Sequence, residues 1–87
     1  MKITYDKFAD AVYIQLAESI APGGVANVYL CDPDQMGGIV NIDLDEAGQI
    51  IGLEILTASS MLPKNVLDEA DGIGDGAVSE TKLSGSS

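Results

Sequence analysis

Histidine, arginine and tryptophan are absent from this chain, and cysteine occurs once. Without histidine, neither a Ser-His nor a Cys-His pair can form, which removes the common arrangements for activating a nucleophile. Cys31 has no second cysteine to bond, so an internal disulfide is excluded. For the same reason a zinc site within one chain is excluded. Small secreted domains usually carry several cysteines, so a reducing, cytoplasmic compartment is expected. Basic residues are few: four lysines face fourteen acids, for a formal net charge of −10. Such a chain repels phosphate backbones and anionic lipid headgroups, so neither nucleic acid nor a membrane surface is an expected partner. No apolar run approaches the ~20 residues that cross a bilayer. No basic segment followed by an apolar run opens the chain, so a signal peptide is not expected. The pairs Gly23-Gly24 and Gly37-Gly38 match neither phosphate-binding glycine fingerprint.

With 87 residues the chain makes one domain, and 46% apolar content is enough for a packed core. A domain this small buries only about 60% of the surface of its unfolded chain, so oligomerisation would help it.

The strongest local pattern is GIVNIDLDEAGQIIGLEIL, residues 38–56. Val40, Ile42 and Leu44 recur every second residue, as do Ile51, Leu53 and Ile55, which places each set on one face of a strand. Between them, Asp45-Glu46-Ala47-Gly48 has turn chemistry. A hairpin with one buried face follows. Pairing Leu44 with Ile51 keeps all six apolar residues together, because a one-residue slip would turn every side chain over. A four-residue loop with Gly48 in the left-handed region fits that pairing.

Lys2–Tyr5 alternates and reads as a first strand, followed by the polar connection Asp6–Asp10. Ala11–Leu16 reads as a second strand on its β-branched and aromatic content. Helical spacing of Phe8, Val12 and Leu16 is the alternative there. Ala21–Gly24 is a loop, Val25–Leu30 a third strand, and Cys31–Gly38 a loop rich in breakers. Thr57–Ser60 offers a helix N-cap, and Met61, Leu62, Val66 and Leu67 are spaced for one short helix over Met61–Ala70. Pro63 is tolerable only in its first turn. Residues 71–87, rich in Gly, Ser and acids, read as a flexible tail after a single domain of residues 1–70.

The expected fold is therefore α+β. It comprises a small antiparallel, meander-like sheet of about four to five strands with one C-terminal helix packed on a face. An all-β meander is the alternative. A small sheet leaves edges open, so a homodimer is expected.

Carboxylates are the remaining candidates for chemistry. Asp43 to Glu54 matches an EF-hand loop at several positions, with Asp43, Asp45, Gly48 and Glu54 in place. Ala47 supplies no oxygen where a ligand is required, and the flanks have strand rather than helix period. Asp6 and Asp10 bracket the first connection, and Asp43 and Glu54 lie off the apolar face. On neighbouring strands these acids would share a surface and hold a hard cation. They serve equally as turn and solvent-facing positions. No catalytic residue and no cofactor is assigned, and a non-enzymatic protein is expected.

Two separated motifs carry a family resemblance. The first is ITYDKFADAVYIQL, with Tyr5, Asp6, Ala9, Asp10, Ala11, Tyr13, Ile14 and Leu16. The second is IDLDEAGQIIGLEILTAS, with Asp43, Leu44, Asp45, Gly48, Gly52, Glu54, Ile55, Leu56, Ala58 and Ser59. Together they resemble the YuzE-like family of unknown function, DUF2283, over residues 2–60. The segment Glu18–Gly38 is longer than that pattern leads one to expect. The resemblance implies a small bacterial protein with no established activity. Some relatives are similar to acidic partners encoded beside small toxins, which implies an antitoxin-like role beside a basic protein. It supplies no catalytic residues, but singles out Asp6, Asp10, Asp43, Asp45 and Glu54 as weak candidates for a metal site. The expected function is a non-catalytic protein-interaction module. The alternative is a domain that binds a divalent cation or small ligand through those carboxylates.

Overall fold

The computed structural model describes residues 1–73. Six strands and three short helices follow one another: β1 (Lys2–Asp6), β2 (Ala11–Gln15), β3 (Asn27–Leu30), α1 (Pro33–Met36), β4 (Val40–Leu44), β5 (Ile50–Leu56), α2 (Ala58–Met61), α3 (Lys64–Glu69) and β6 (Asp71–Ile73). All strands lie in one sheet of order β3-β4-β5-β2-β1-β6. Every described pairing is antiparallel except β1 with β6, which is parallel. The architecture is a small α+β fold.

Several sequence expectations need correction. Among the described residues the sheet has six strands rather than four to five. It is also not a simple meander, because β2 pairs with β5 and not with β3. An N-terminal hairpin, β1–β2, is thus joined to a β3–β4–β5 meander along a single β2–β5 seam. The sixth strand begins at Asp71, where the sequence places the start of the tail. Backbone pairing to the exposed edge of β1 orders these residues although they carry no apolar period. The rest of the expected tail lies outside the described residues.

The single C-terminal helix is in fact two. Proline has no N–H to give the helix and pushes the residue before it out of the α region. Leu62 is accordingly extended (φ −119°, ψ 150°), and α3 begins after Pro63. A third helical turn, α1, sits inside the breaker-rich loop. Asp32 caps it by accepting from the Asp34 N–H at 2.9 Å, and Pro33 starts it. These helices set aside the all-β alternative.

The central hairpin has the expected register over most of its length. Val40 lies opposite Ile55, Ile42 opposite Leu53 and Asp43 opposite Gly52. Near the tip an irregularity intervenes and Leu44 pairs with Ile50 instead of Ile51. The loop is responsible: Asp45 N–H donates to Gln49 O and Gly48 N–H to Asp45 O, both at 3.0 Å. The Asp45 carboxylate accepts from the Ala47 and Gln49 N–H groups at 2.9 Å each. Gly48 takes φ 82°, as the turn demands. Ile51 becomes the extra residue of a β-bulge. It turns inward to 8% exposure while Ile50 is 51% exposed. The N–H groups of Leu16 and Ala17 both donate to the Ile51 carbonyl.

Strand alternation divides the sheet into an apolar and a polar face. On the apolar face, Tyr5, Val12, Ile55 and Val40 form one row across four strands. Met61, Leu62 and Leu67 from the helical segment pack with this region, whose centre is Val12, Ile55 and Ala58. A second row, Ile3–Ile14–Leu53–Ile42–Tyr29, runs parallel to the first across five strands. None of its members is buried. The helices cover one end of the apolar face and leave the other partly open.

Candidate functional site

The residues that carry chemistry gather in two hydrogen-bonded clusters. The first ties the β1–β2 turn to the start of α2. Asp10 sits in the left-handed region at φ 52°, and Thr57 does the same. Non-glycine residues there are uncommon and persist where surrounding contacts hold them. Around Asp10 those contacts are plain. Its carbonyl accepts from Ala58 N–H at 2.8 Å. Its Oδ1 accepts from Ser59 N–H at 3.0 Å and from the Tyr5 hydroxyl at 2.8 Å. Its Oδ2 accepts from the Ser59 hydroxyl at 2.7 Å.

Asp10 thereby satisfies the first two N–H groups of α2, which have no partner inside the helix. Thr57 occupies the N-cap position but makes no side-chain cap bond. The cap comes from a residue far away in sequence. The hydrogen bonds from Ser59 and then Tyr5 favour the charged carboxylate and hold the Asp10 pKa below its ordinary value.

The second cluster lies on the polar face. Tyr13 on β2 is directly opposite Glu54 on β5, which is opposite Asn41 on β4. The Tyr13 side chain runs diagonally over Gly52 and donates from its hydroxyl to Asp43 Oδ2 at 2.7 Å. A Cβ built on Gly52 would overlap the Tyr13 hydroxyl and ring. Glycine at 52 is what lets the ring lie flat on the strand. Asn41 Nδ2 donates to Glu54 Oε1 at 3.0 Å alongside. Burial first, then the hydrogen bond to Asp43 and the nearby charges of Asp43 and Glu54, push the Tyr13 pKa up to about 12.

The five carboxylates singled out from the sequence are therefore dispersed over four separate tasks. Asp6 accepts from the Phe8 and Ala9 N–H groups and closes the first turn. Asp45 closes the hairpin loop. Asp10 caps α2. Asp43 and Glu54 share the polar face and accept from Tyr13 and Asn41. Among the described residues, no three acids or cysteines are grouped to hold a metal ion. What sequence reasoning missed is the phenol chemistry of Tyr5 and Tyr13. Each tyrosine bonds an aspartate from the other side of a turn or strand, and residue spacing carries no signal of that pairing.

Elsewhere, a concavity of about 380 Å³ lies between β1 and α3, lined by Tyr5, Lys7, Lys64, Leu67, Asp68 and Gly72. Lys64 in its wall is ion-paired with Asp68 at 3.0 Å. No helix among the described residues is long and apolar enough to cross a membrane.

The two clusters draw on both halves of the motif pair, and that pair has a family. The family described as Protein of unknown function (DUF2283) matches residues 2–59. The chain belongs to this family. Comparison with curated proteins gives no match. Comparison with solved structures gives none either. In this DUF2283 chain the matched span contains β1 to β5 and ends on Ser59, the residue that donates twice to Asp10. Tyr5, Asp10, Ala58 and Ser59 form the first cluster, and Tyr13, Asp43, Gly52 and Glu54 the second. The residues that carry the family resemblance thus hold the sheet to itself and to its helical cover.

Proposed function

We infer that this chain is a non-catalytic interaction module whose heterologous partner is a basic protein. The observation that supports this reading is an acidic surface with little internal compensation. Fourteen acids face four lysines, and Lys64 is already engaged by Asp68. Exposed carboxylates are spread over α1 (Asp32, Asp34), the hairpin tip (Glu46) and α3 (Asp68, Glu69). Such a field accelerates encounter with a cationic surface and disfavours acidic ones. Tyr13 is engaged with Asp43, and Ser59 with Asp10, which fits a structural rather than a catalytic use of the motif residues. An antitoxin-like pairing with a basic toxin is the most specific form of this reading.

The test is capture of partners from the native host with the tagged chain, at low and at high salt. A stoichiometric basic protein, lost at high salt, is the expected result. An eluate holding only the bait at both salt concentrations overturns the reading. A melting series with millimolar calcium or magnesium separates the cation-binding alternative. A ligand that binds the folded state must raise the melting temperature beyond an ionic-strength control.

A further inference from the structure

We propose that β3 is the self-association edge of this protein, pairing antiparallel with β3 of a second copy across a two-fold axis at Tyr29. β3 is the terminal strand of the sheet, and all four of its residues are exposed. Val28, Tyr29 and Leu30 keep 50, 60 and 67% of their surface. Edge strands ordinarily carry charges or prolines that prevent such pairing. Here no charged residue occurs from Ser19 to Cys31, the longest charge-free run in a chain of net charge −10. The opposite edge, β6, is three residues long and begins with an aspartate. Two copies repel each other over most of their surface, and the β3 edge is where they meet without opposing carboxylates.

The ladder fixes which backbone groups are free. Cys31 N–H donates to Val40 O at 3.0 Å. Hydrogen-bonding direction alternates along an antiparallel strand. Cys31 and Tyr29 therefore face β4, and Val28 and Leu30 direct their N–H and C=O groups outward. A two-fold at Tyr29 sets Val28 against Leu30 of the partner copy and Leu30 against its Val28. Four backbone hydrogen bonds form, and both side-chain pairs are apolar. The two Tyr29 residues meet as a non-hydrogen-bonded pair, where side chains approach most closely and aromatic pairs contribute most. Each interface is self-complementary, as a closed two-fold dimer requires. Tyr29 also ends the open apolar row from Ile3, so the junction runs that row into its counterpart.

The proposal is independent of the basic partner, and salt separates the two. Screening weakens attraction to a cationic protein but relieves repulsion between two acidic copies, so the dimer tightens as salt rises.

Sedimentation of the full chain across concentration, at low and high salt, should show a monomer–dimer equilibrium that salt strengthens. Val28→Lys puts a charge against Leu30 of the second copy in place of an apolar pair and should weaken dimerisation at least about tenfold, with an unchanged circular dichroism spectrum. In a Cys31→Ser background, oxidised Tyr29→Cys should give a disulfide-linked dimer. The roughly 4.5 Å Cα separation of such a pair suits a disulfide. Val28→Cys, offset diagonally from its own copy by about 7–8 Å or more, should cross-link far more slowly. A monomer at every concentration, a dimer indifferent to Val28→Lys, or faster cross-linking through Val28→Cys each overturns the proposal. So does finding the β3 edge occupied by a strand of another protein while the chain itself stays monomeric. If Val28→Lys fails to fold, the cross-linking pair decides.

Discussion

The Tyr13 hydroxyl reaches Asp43 only because residue 52 has no side chain. The phenol on β2 crosses β5 at Gly52 and bonds a carboxylate on β4 at 2.7 Å. Three strands are held by one side chain on the polar face, opposite the core. Glycine within a strand ordinarily weakens it, and here the ring supplies the packing that glycine lacks.

Gly52→Ala should therefore destabilise the protein by about 1–3 kcal/mol, the usual cost of forcing atoms into a filled space. Combined with Tyr13→Ala, the same substitution should cost markedly less. Denaturant unfolding of the two single variants and the double variant measures this coupling. Additive losses would show that the ring does not occupy the space above Gly52.

Tyr13→Phe keeps the ring and removes the hydroxyl. A loss of about 0.5–1.5 kcal/mol is expected at neutral pH, the net worth of one hydrogen bond. The alkaline limb gives a sharper readout. The folded pKa of about 12 lies above the unfolded value of 10.0. Tyr13 thus contributes stability that is complete below pH 10 and lost as pH rises from 10 toward 12. Melting temperatures of parent and Tyr13→Phe should converge over that range. Ultraviolet titration of tyrosinate should lose a component near pH 12 in the variant.

Asp10 has the opposite sign. Hydrogen bonds from Ser59 and Tyr5 depress its folded pKa below the ordinary value of 3.8. Its contribution is present above that pH and fades as the carboxylate is protonated in acid. Asp10→Asn preserves the shape and tolerates the left-handed backbone. It should melt below the parent at neutral pH, with the gap closing in acid. Asp10→Ala should melt lower still, because it also uncaps α2. A gap that does not change between neutral pH and acid would refute the role of the charge.

At the centre of the core, Ile55 is 5% exposed and faces Val12 at 1%. Ile55→Ala should cost about 2–5 kcal/mol. That is a large share of the about 4–13 kcal/mol expected of an 87-residue domain at about 0.05–0.15 kcal/mol per residue. Chemical denaturation should find the variant's unfolding midpoint far below the parent's, with an unchanged slope.

Much of this architecture was legible from side-chain period. The strands at Ile3, Val12 and Tyr29 follow from alternation, as does the hairpin built on Val40, Ile42, Leu53 and Ile55. The Gly48 turn follows from its loop chemistry. Long-range order was not legible, because nothing in Ala11–Gln15 states that its neighbour is Ile50–Leu56 rather than Asn27–Leu30. β6 was hidden because a three-residue strand made by backbone pairing needs no apolar period. Pro63 was read as a residue of the first turn, when it separates two helices. Of the candidate site, the sequence singled out the aspartates only as weak candidates for a metal site. Their employment as caps and acceptors depends on Tyr5, Tyr13 and Ser59 arriving from elsewhere in the chain, which spacing does not encode.

The seam between β2 and β5 bears on how the chain folds. The β1–β2 hairpin and the β3–β5 meander are each made of contacts close in sequence, which form quickly. Neither unit alone covers its apolar side, and isolated hairpins are marginal in water. Joining them closes a loop from Gln15 to Ile50, and only then do Val12 and Ile55 leave solvent together. That docking step is where chain entropy is lost before contacts compensate. Folding should then be governed by the β2–β5 encounter: substitutions along the seam slow it, and those at the distal turns mainly speed unfolding.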